Sequence, residues 1–209
     1  SDWSLIAAAV KGKPLVLTHH SDIVGRGKMS WIAKIYKNTN RRLILKGASR
    51  IIVTNPKVVE SSDYFNRYLN KIEIIPVGVD VERFKPIEIP ERQSSSEKAI
   101  LFISVMDKFH EFKGLDRLLA SMAKVVKEVP EAKLVVGGAG ELLGRYKSIA
   151  SSLGLEDEVE FLGYVPEDGI AELYNRSDLF VLPSISGSQE TFGMVALEAM
   201  ACEIGRAHV

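Results

Sequence analysis

Short runs of aliphatic and β-branched residues alternate along the chain with longer stretches whose apolar positions return every three or four residues. The short runs fall at Pro14–Thr18, Arg50–Thr54, Ile72–Ile75, Ala99–Val105, Lys133–Gly137, Val159–Leu162 and Leu179–Leu182. They are nearly continuous in Val, Ile, Leu and Phe, the pattern of strands buried on both faces of a parallel sheet. The longer stretches, Lys28–Lys46, Leu115–Glu128, Glu141–Leu153, Glu167–Asn175 and Gly193–Ala201, carry helical periodicity. Leu5–Val10 reads as the end of a further helix. Strand and helix in regular alternation predict an α/β fold with parallel sheets covered by helices on both sides.

One stretch breaks this rhythm. Phe84 to Lys98 contains Pro86, Pro90 and Ser94-Ser95-Ser96 and has no period, so a domain boundary is expected there. The expected organisation is the C-terminal part of one Rossmann-like domain over residues 1–85, a linker over 86–98, and the N-terminal part of a second Rossmann-like domain over 99–202. The chain has no initiator Met and opens on a helix remnant, which reads as entry in mid-domain. Residues 203–209 have no apolar period and read as a non-native tail, so His208 is set aside.

Composition narrows the class. Hydrophobic residues make up 46% and charged residues 26% of the 209 residues, which excludes a disordered, collagenous or coiled-coil chain. Lys+Arg and Asp+Glu are both 27, so no global charge draws the protein to nucleic acid. A single cysteine, Cys202, excludes a disulfide scaffold and suits a reducing cytoplasm. No apolar run approaches the roughly 20 residues that span a bilayer. Charge is nevertheless uneven. From Ile23 through Val59 there are nine basic residues and no acid. Apolar residues accompany them, so Arg26–Arg50 is a candidate contact for an anionic membrane surface, on the inner face in a cytoplasmic protein. The competing reading is a solvated helix face.

The most informative stretch runs from the strand Leu179–Leu182 through Pro183-Ser184 and a loop to a helix that begins near Gly193. A helix start leaves about four backbone N–H groups unpaired and carries partial positive charge, which suits anionic or hydroxyl-rich ligands. The loop also follows the carboxyl end of a strand, where open α/β sheets bind ligands. Glu190 stands just before the helix and Glu198 in its second turn, and each carboxylate can accept hydrogen bonds from sugar hydroxyls.

Glu190 to Glu198 resembles the E-x7-E signature of the retaining glycosyltransferases of family 4, which have the GT-B fold. Other segments resemble the same family in the same order: Thr18-His19-His20-Ser21-Asp22, Ile75-Pro76-Val77-Gly78-Val79-Asp80 with Phe84, Phe112-Lys113-Gly114-Leu115, Leu134 to Gly140, and Val159 to Val165. The resemblance implies two Rossmann-like domains of a GT-B fold, both incomplete in this chain. It implies transfer of a hexose from a UDP- or GDP-sugar to a hydroxyl acceptor, a saccharide or a lipid-linked acceptor, in polysaccharide or glycolipid synthesis. No cofactor or metal is implied beyond the nucleotide-sugar co-substrate, and the sequence contains no Asp-x-Asp.

Residue by residue, the resemblance makes Glu190, His20 and Lys113 the catalytic candidates. Glu190 contacts donor-sugar hydroxyls with backbone groups of Thr191, Phe192, Gly193 and Met194. Glu198 holds the ribose hydroxyls, and Lys113 neutralises the diphosphate. Gly138, Tyr164 and Val165 flank the nucleotide. Between the adjacent histidines, His20 is favoured over His19 because Ser21-Asp22 follows it. In one place the sequence departs from the family. The Gly-Arg pair that usually follows the first strand of the second domain is replaced by Ser104-Val105-Met106-Asp107-Lys108. Lys108 or His110 then substitutes for the Arg, or Lys113 acts with backbone groups alone.

Two rival readings remain. Gly138-Ala139-Gly140 with Gly144 approximates the fingerprint of an NAD(P)-dependent oxidoreductase, its third glycine displaced by one. A non-catalytic nucleotide-sugar-binding protein on the same fold is equally compatible with the two glutamates. The implied elements that this chain lacks lead to the expectation that it shows no sugar transfer by itself.

Overall fold

The computed structural model describes residues 2–20, 31, 39–60, 62–90, 96–185 and 193–208. Contacts divide the chain into two compact units, one within residues 1–77 and the other built from Gly78 onward.

In the first unit, β1 (Val16–His19), β2 (Arg50–Val53) and β3 (Ile72–Ile74) form a parallel sheet in that order. Helix α1 (Asp2–Val10) precedes β1, α2 (Asn40–Gly47) precedes β2, and α3 (Pro56–Glu60) follows it. Leu45, Ala48, Ile51, Val53 and Phe65 form the core, with Leu17, Val58 and Ile72 packed around it. Lys71 Nζ donates to the carbonyls of Lys46 and Ala48, both at 2.8 Å, which places a cation on the negative end of α2. The expected helix over Lys28–Lys46 is seen only at Trp31 and over Asn40–Gly47; the remainder lies outside the described residues. Arg50 of the basic stretch pairs with Glu73 on the neighbouring strand at 2.9 Å.

The second unit holds β4 (Lys98–Ile103), β5 (Ala132–Gly137), β6 (Val159–Gly163), β7 (Leu179–Leu182) and β8 (Gly205–His208). All pairs are parallel and the order is β6-β5-β4-β7-β8. Helices α4 (Leu115–Glu128), α5 (Leu143–Ser152), α6 (Glu167–Arg176) and α7 (Met194–Ala201) connect the strands. Successive strand residues point to opposite faces. Phe102, Leu134, Val136 and Val181 therefore pack with Leu115, Leu119 and Met122 of α4 and Tyr146 and Ala150 of α5. Leu101, Phe180 and Leu182 pack on the other face with Tyr174 of α6 and Ala199 of α7. Both faces are thus dry, which is why these strands read as unbroken apolar runs.

Several sequence expectations shift. The strand expected at Pro14–Thr18 runs from Val16 to His19, because its ladder pairs Val16 with Arg50 and His19 with Val53. The strand expected to reach Val105 leaves the ladder after Ile103 pairs with Gly137, and Ser104-Val105 turn away. Helix α5 starts at Leu143, two residues after the expected Glu141. Residues 78–90 group with the second unit. The reason is visible at Phe84, which is buried among Leu101, Tyr174 and Phe180. Asn175 fastens the same segment: its Nδ2 donates to the carbonyl of Lys85 at 3.0 Å and its Oδ1 accepts from the amide of Ile87 at 2.8 Å. Gly205–His208, in the stretch set aside as a tail, forms β8 against β7, and Ile204 is buried.

Candidate functional site

In the second sheet the strand order reverses between β4 and β7. The helices that follow these two neighbours pack on opposite faces, and the carboxyl ends of such a strand pair are where open α/β sheets bind ligands. Four loops meet on that rim: Ser104–Gly114 after β4, Gly138–Leu142 after β5, Tyr164–Pro166 after β6, and the segment after Leu182.

Glycines bring these loops together. Gly138 has φ 132°, and a Cβ there would lie 1.9 Å from the carbonyl oxygen of Ser104. Gly140 has φ 154°, and its Cβ would lie 2.2 Å from that of Met106. No L side chain fits such an approach. The loops are then laced by their backbones. The Met106 amide donates to Ala139 at 2.9 Å, the Leu142 amide to Met106 at 2.9 Å, and the Gly138 amide to Gly163 at 2.7 Å. Gly138 and Gly140 therefore have a packing role that requires no dinucleotide.

Lys113 ends a single 3-10 turn, Glu111–Lys113, directly before α4. Gly114 follows with φ 78°, and a Cβ on it would meet the Pro183 carbonyl oxygen at 2.3 Å. The Ile185 amide donates to the Phe112 carbonyl at 2.8 Å. The first turn of a 14-residue helix and its half-buried lysine are thereby fixed against the end of β7, at the reversal point. Lys113 Nζ lies 5.4 Å from the centre of the Phe112 ring.

The neighbouring cations are engaged locally. Lys108 Nζ is 3.9 Å from Glu141 and mostly exposed. His110 Nδ1 lies 2.8 Å from Asp107 Oδ1, which also accepts the amides of Phe109 and His110 at 2.8 and 2.9 Å. Burial opposes the ionised form of Asp107, but the hydrogen bonds and charge of His110 outweigh it and hold the carboxyl below its ordinary 3.8. Tyr164 is 75% exposed on the rim and Val165 half-buried beside it.

Gly193 caps α7 and Met194 begins it. Glu198, in the second turn, accepts a hydrogen bond from Tyr174 Oη at 2.8 Å. Nothing in the sequence pattern singles out Tyr174; the available signal is a tyrosine at a core-facing helix position that an apolar residue would fill. Glu190, Thr191 and Phe192 lie outside the described residues. His20 follows β1 in the first unit and is exposed, whereas His19 is half-buried, its ring edge-on to Phe65 and its Nε2 3.3 Å from Tyr64 Oη. The structure thus gathers Lys108, Lys113, Gly138, Tyr164 and Val165 on one rim.

A hollow of about 340 Å³ lies along the face beneath α6, between Ala99 and Leu162. It holds the Glu172–Arg176 pair, joined at 2.7 Å, and of the expected donor residues only Val165. Among the described residues no three His, Cys, Asp or Glu side chains gather closely enough to share a metal ion. No helix among them is long and apolar enough to cross a membrane.

Comparison with known proteins gives two family matches. Residues 87–205 match the glycosyl transferases group 1 model, and residues 1–83 match the glycosyltransferase family 4 model. Mannosylfructose-phosphate synthase of Agrobacterium fabrum is 32% identical over 172 residues, covering 76% of this chain and 37% of that protein. D-inositol 3-phosphate glycosyltransferase of Segniliparus rotundus is 29% identical over 170 residues, covering 77% of this chain and 36% of that protein. The chain spans well under half the length of these two relatives. Among solved structures, HepE of Anabaena in complex with UDP and glucose superposes with a TM-score of 0.71 at 23% identity, over 99% of this chain and 56% of that one. That likeness shows a GT-B type of fold.

Proposed function

This chain belongs to the glycosyl transferases of group 1, and from that premise we propose that its second unit binds the donor of a retaining transferase. The donor is a UDP- or GDP-hexose, and the acceptor is a hydroxyl of a saccharide or lipid-linked saccharide. One observation carries the reading: Lys113 and the start of α4 are locked onto Pro183–Ile185 at the reversal point of the sheet. The HepE structure contains UDP and glucose, which supports a nucleotide-sugar donor. The family match removes the ground for the oxidoreductase reading.

The chemistry follows from charge. When the bond from the anomeric carbon to the β-phosphate oxygen breaks, negative charge grows on the diphosphate. A fixed ammonium at Lys113 and unpaired N–H groups at the starts of α4 and α7 stabilise that charge as it develops, without a metal. No described side chain is placed as a covalent nucleophile. In the proposed route the acceptor oxygen attacks from the face that the diphosphate leaves, its proton passes to the departing phosphate oxygen, and configuration is retained. Glu190 is assigned to the donor-sugar hydroxyls and Glu198 to the ribose hydroxyls. Lys108, beside Glu141, is a secondary phosphate contact.

Calorimetric titration tests the reading. UDP or GDP should bind this chain and NADH should not; tight NADH binding with no response to either diphosphate would contradict it. In a catalytically active protein carrying this site, NMR of the product should show the anomeric configuration of the donor, and inversion would discard the same-face route. The basic stretch Arg26–Arg50 is further proposed to touch anionic lipid. Sedimentation with phosphatidylglycerol vesicles should exceed that with phosphatidylcholine vesicles and should fall with salt.

A further inference from the structure

Tyr174 is fully buried, yet it is a tyrosine and not a phenylalanine. Its ring is wedged edge-on against Phe84, at 6.0 Å and 74°, and against Phe180 of β7, at 5.8 Å and 66°. The adjacent Asn175 ties the chain at Lys85 and Ile87 to the same helix, which keeps Phe84 in place. A ring held on two sides has little freedom, so its hydroxyl points in a fixed direction. That hydroxyl donates to Glu198 Oε2 at 2.8 Å.

A buried phenol needs a partner. A backbone carbonyl would serve at smaller expense than a carboxylate, whose charge loses hydration in a half-buried place. Burial and the Glu198 carboxylate push the Tyr174 phenol far above its ordinary range, so it remains a donor at every working pH. This bond takes one lone pair of one Glu198 oxygen; among the described residues no side chain hydrogen-bonds to the other oxygen, which can face a ligand. Cys202, one turn further along, is buried beside them, and burial pushes its thiol up, so it adds no charge near Glu198.

We propose that Tyr174 is a positioning residue: by anchoring Oε2 of Glu198 it aims Oε1 at the vicinal hydroxyls of the nucleotide ribose. The proposal deepens the donor reading and rests on the assignment of Glu198 to the ribose. Glu198 lies on the helix that follows β7, so a carboxylate free to rotate would lose the geometry that a cis-diol demands. A merely structural hydroxyl would affect stability and would leave discrimination between ribose and deoxyribose unchanged.

The test compares dissociation constants of UDP and GDP with those of their 2′,3′-dideoxy counterparts, for the unaltered chain, Tyr174→Phe and Glu198→Gln. The unaltered chain should prefer the ribonucleotide. In Tyr174→Phe that preference should shrink about tenfold, the scale of one hydrogen bond to a charged group, with the dideoxy affinity unchanged. In Glu198→Gln the preference should also collapse, and adding Tyr174→Phe to it should change the ratio no further. That double variant completes the cycle with the two single variants, and, having no unpaired carboxylate, it still exposes an effect of Tyr174 that does not run through Glu198 where Tyr174→Phe alone folds poorly. If Glu198→Gln keeps the ribose preference, the ribose assignment fails and this proposal fails with it. If Glu198→Gln loses the preference while Tyr174→Phe keeps it, or if the double variant loses more than Glu198→Gln alone, the ribose assignment stands and the role of Tyr174 is overturned.

Discussion

Lys113 illustrates how its surroundings fix the place of a single charge. A lysine before a glycine is common on solvated surfaces. Here Gly114, with φ 78° and the Pro183 carbonyl where a Cβ would stand, fixes the lysine to the end of β7. Lys113→Ala should weaken UDP or GDP binding roughly tenfold, in keeping with about 1.5–3 kcal/mol for a hydrogen bond to a charged group. Calorimetry reads this directly, and an unchanged affinity would remove Lys113 from the site. Asp107 makes a pH-dependent contribution whose sign is fixed. Burial opposes ionisation, but the bonds with His110 and Phe109 and the charge of His110 outweigh it and hold the folded-state pKa below 3.8. The stabilisation is therefore present above that value and is lost as pH falls through the lower folded value. Urea midpoints of the unaltered chain should exceed those of Asp107→Asn at about pH 6, and the gap should close under acid. A gap that widens in acid would contradict this.

At the scale of elements, the seven apolar runs became strands; in the second sheet both faces are covered, so burial wrote the pattern there, whereas in the first sheet β1 alternates exposed and half-buried positions around one core. Their ends were less legible, since a strand stops where its ladder stops: the Ile103–Gly137 pair closes β4, and no property of Ser104 or Val105 announces it. The five-residue α3 and the 3-10 turns at Asp63–Arg67 and Leu69–Lys71 are too short to carry a period. Gly205–His208 pairs with β7 through backbone groups, which any sequence supplies. The turns at Lys113-Gly114 and Gly138–Gly140 were legible because tight loop geometry depends on particular residue types. Tyr174 was hidden, because its partner lies 24 residues away across a tertiary contact. The glycine turn makes its own prediction. Gly138→Ala forces a Cβ onto the Ser104 carbonyl at positive φ. It should cost about 1–3 kcal/mol of stability, measured by urea unfolding; an effect below a few tenths of a kcal/mol would show that the two loops separate freely.

The whole molecule contains two units with separate cores, one around Ile51, Val53 and Phe65 and one on both faces of the β4–β7 sheet. Separate cores favour separate unfolding transitions. UDP or GDP at saturating concentration should raise the transition of the second unit, by linkage, and leave that of the first unchanged. A shift confined to the first transition would place the nucleotide elsewhere. The central claim is that the carboxyl-end rim of the second sheet grips the diphosphate of an activated sugar. Amide shifts of the ¹⁵N-labelled chain during titration with UDP and GDP test it most directly. The account predicts the largest saturable changes at Lys113–Asp116, Gly138–Gly140, Tyr164–Val165 and Gly193–Glu198; saturable changes confined to the hollow beneath α6 or to the first unit would contradict it.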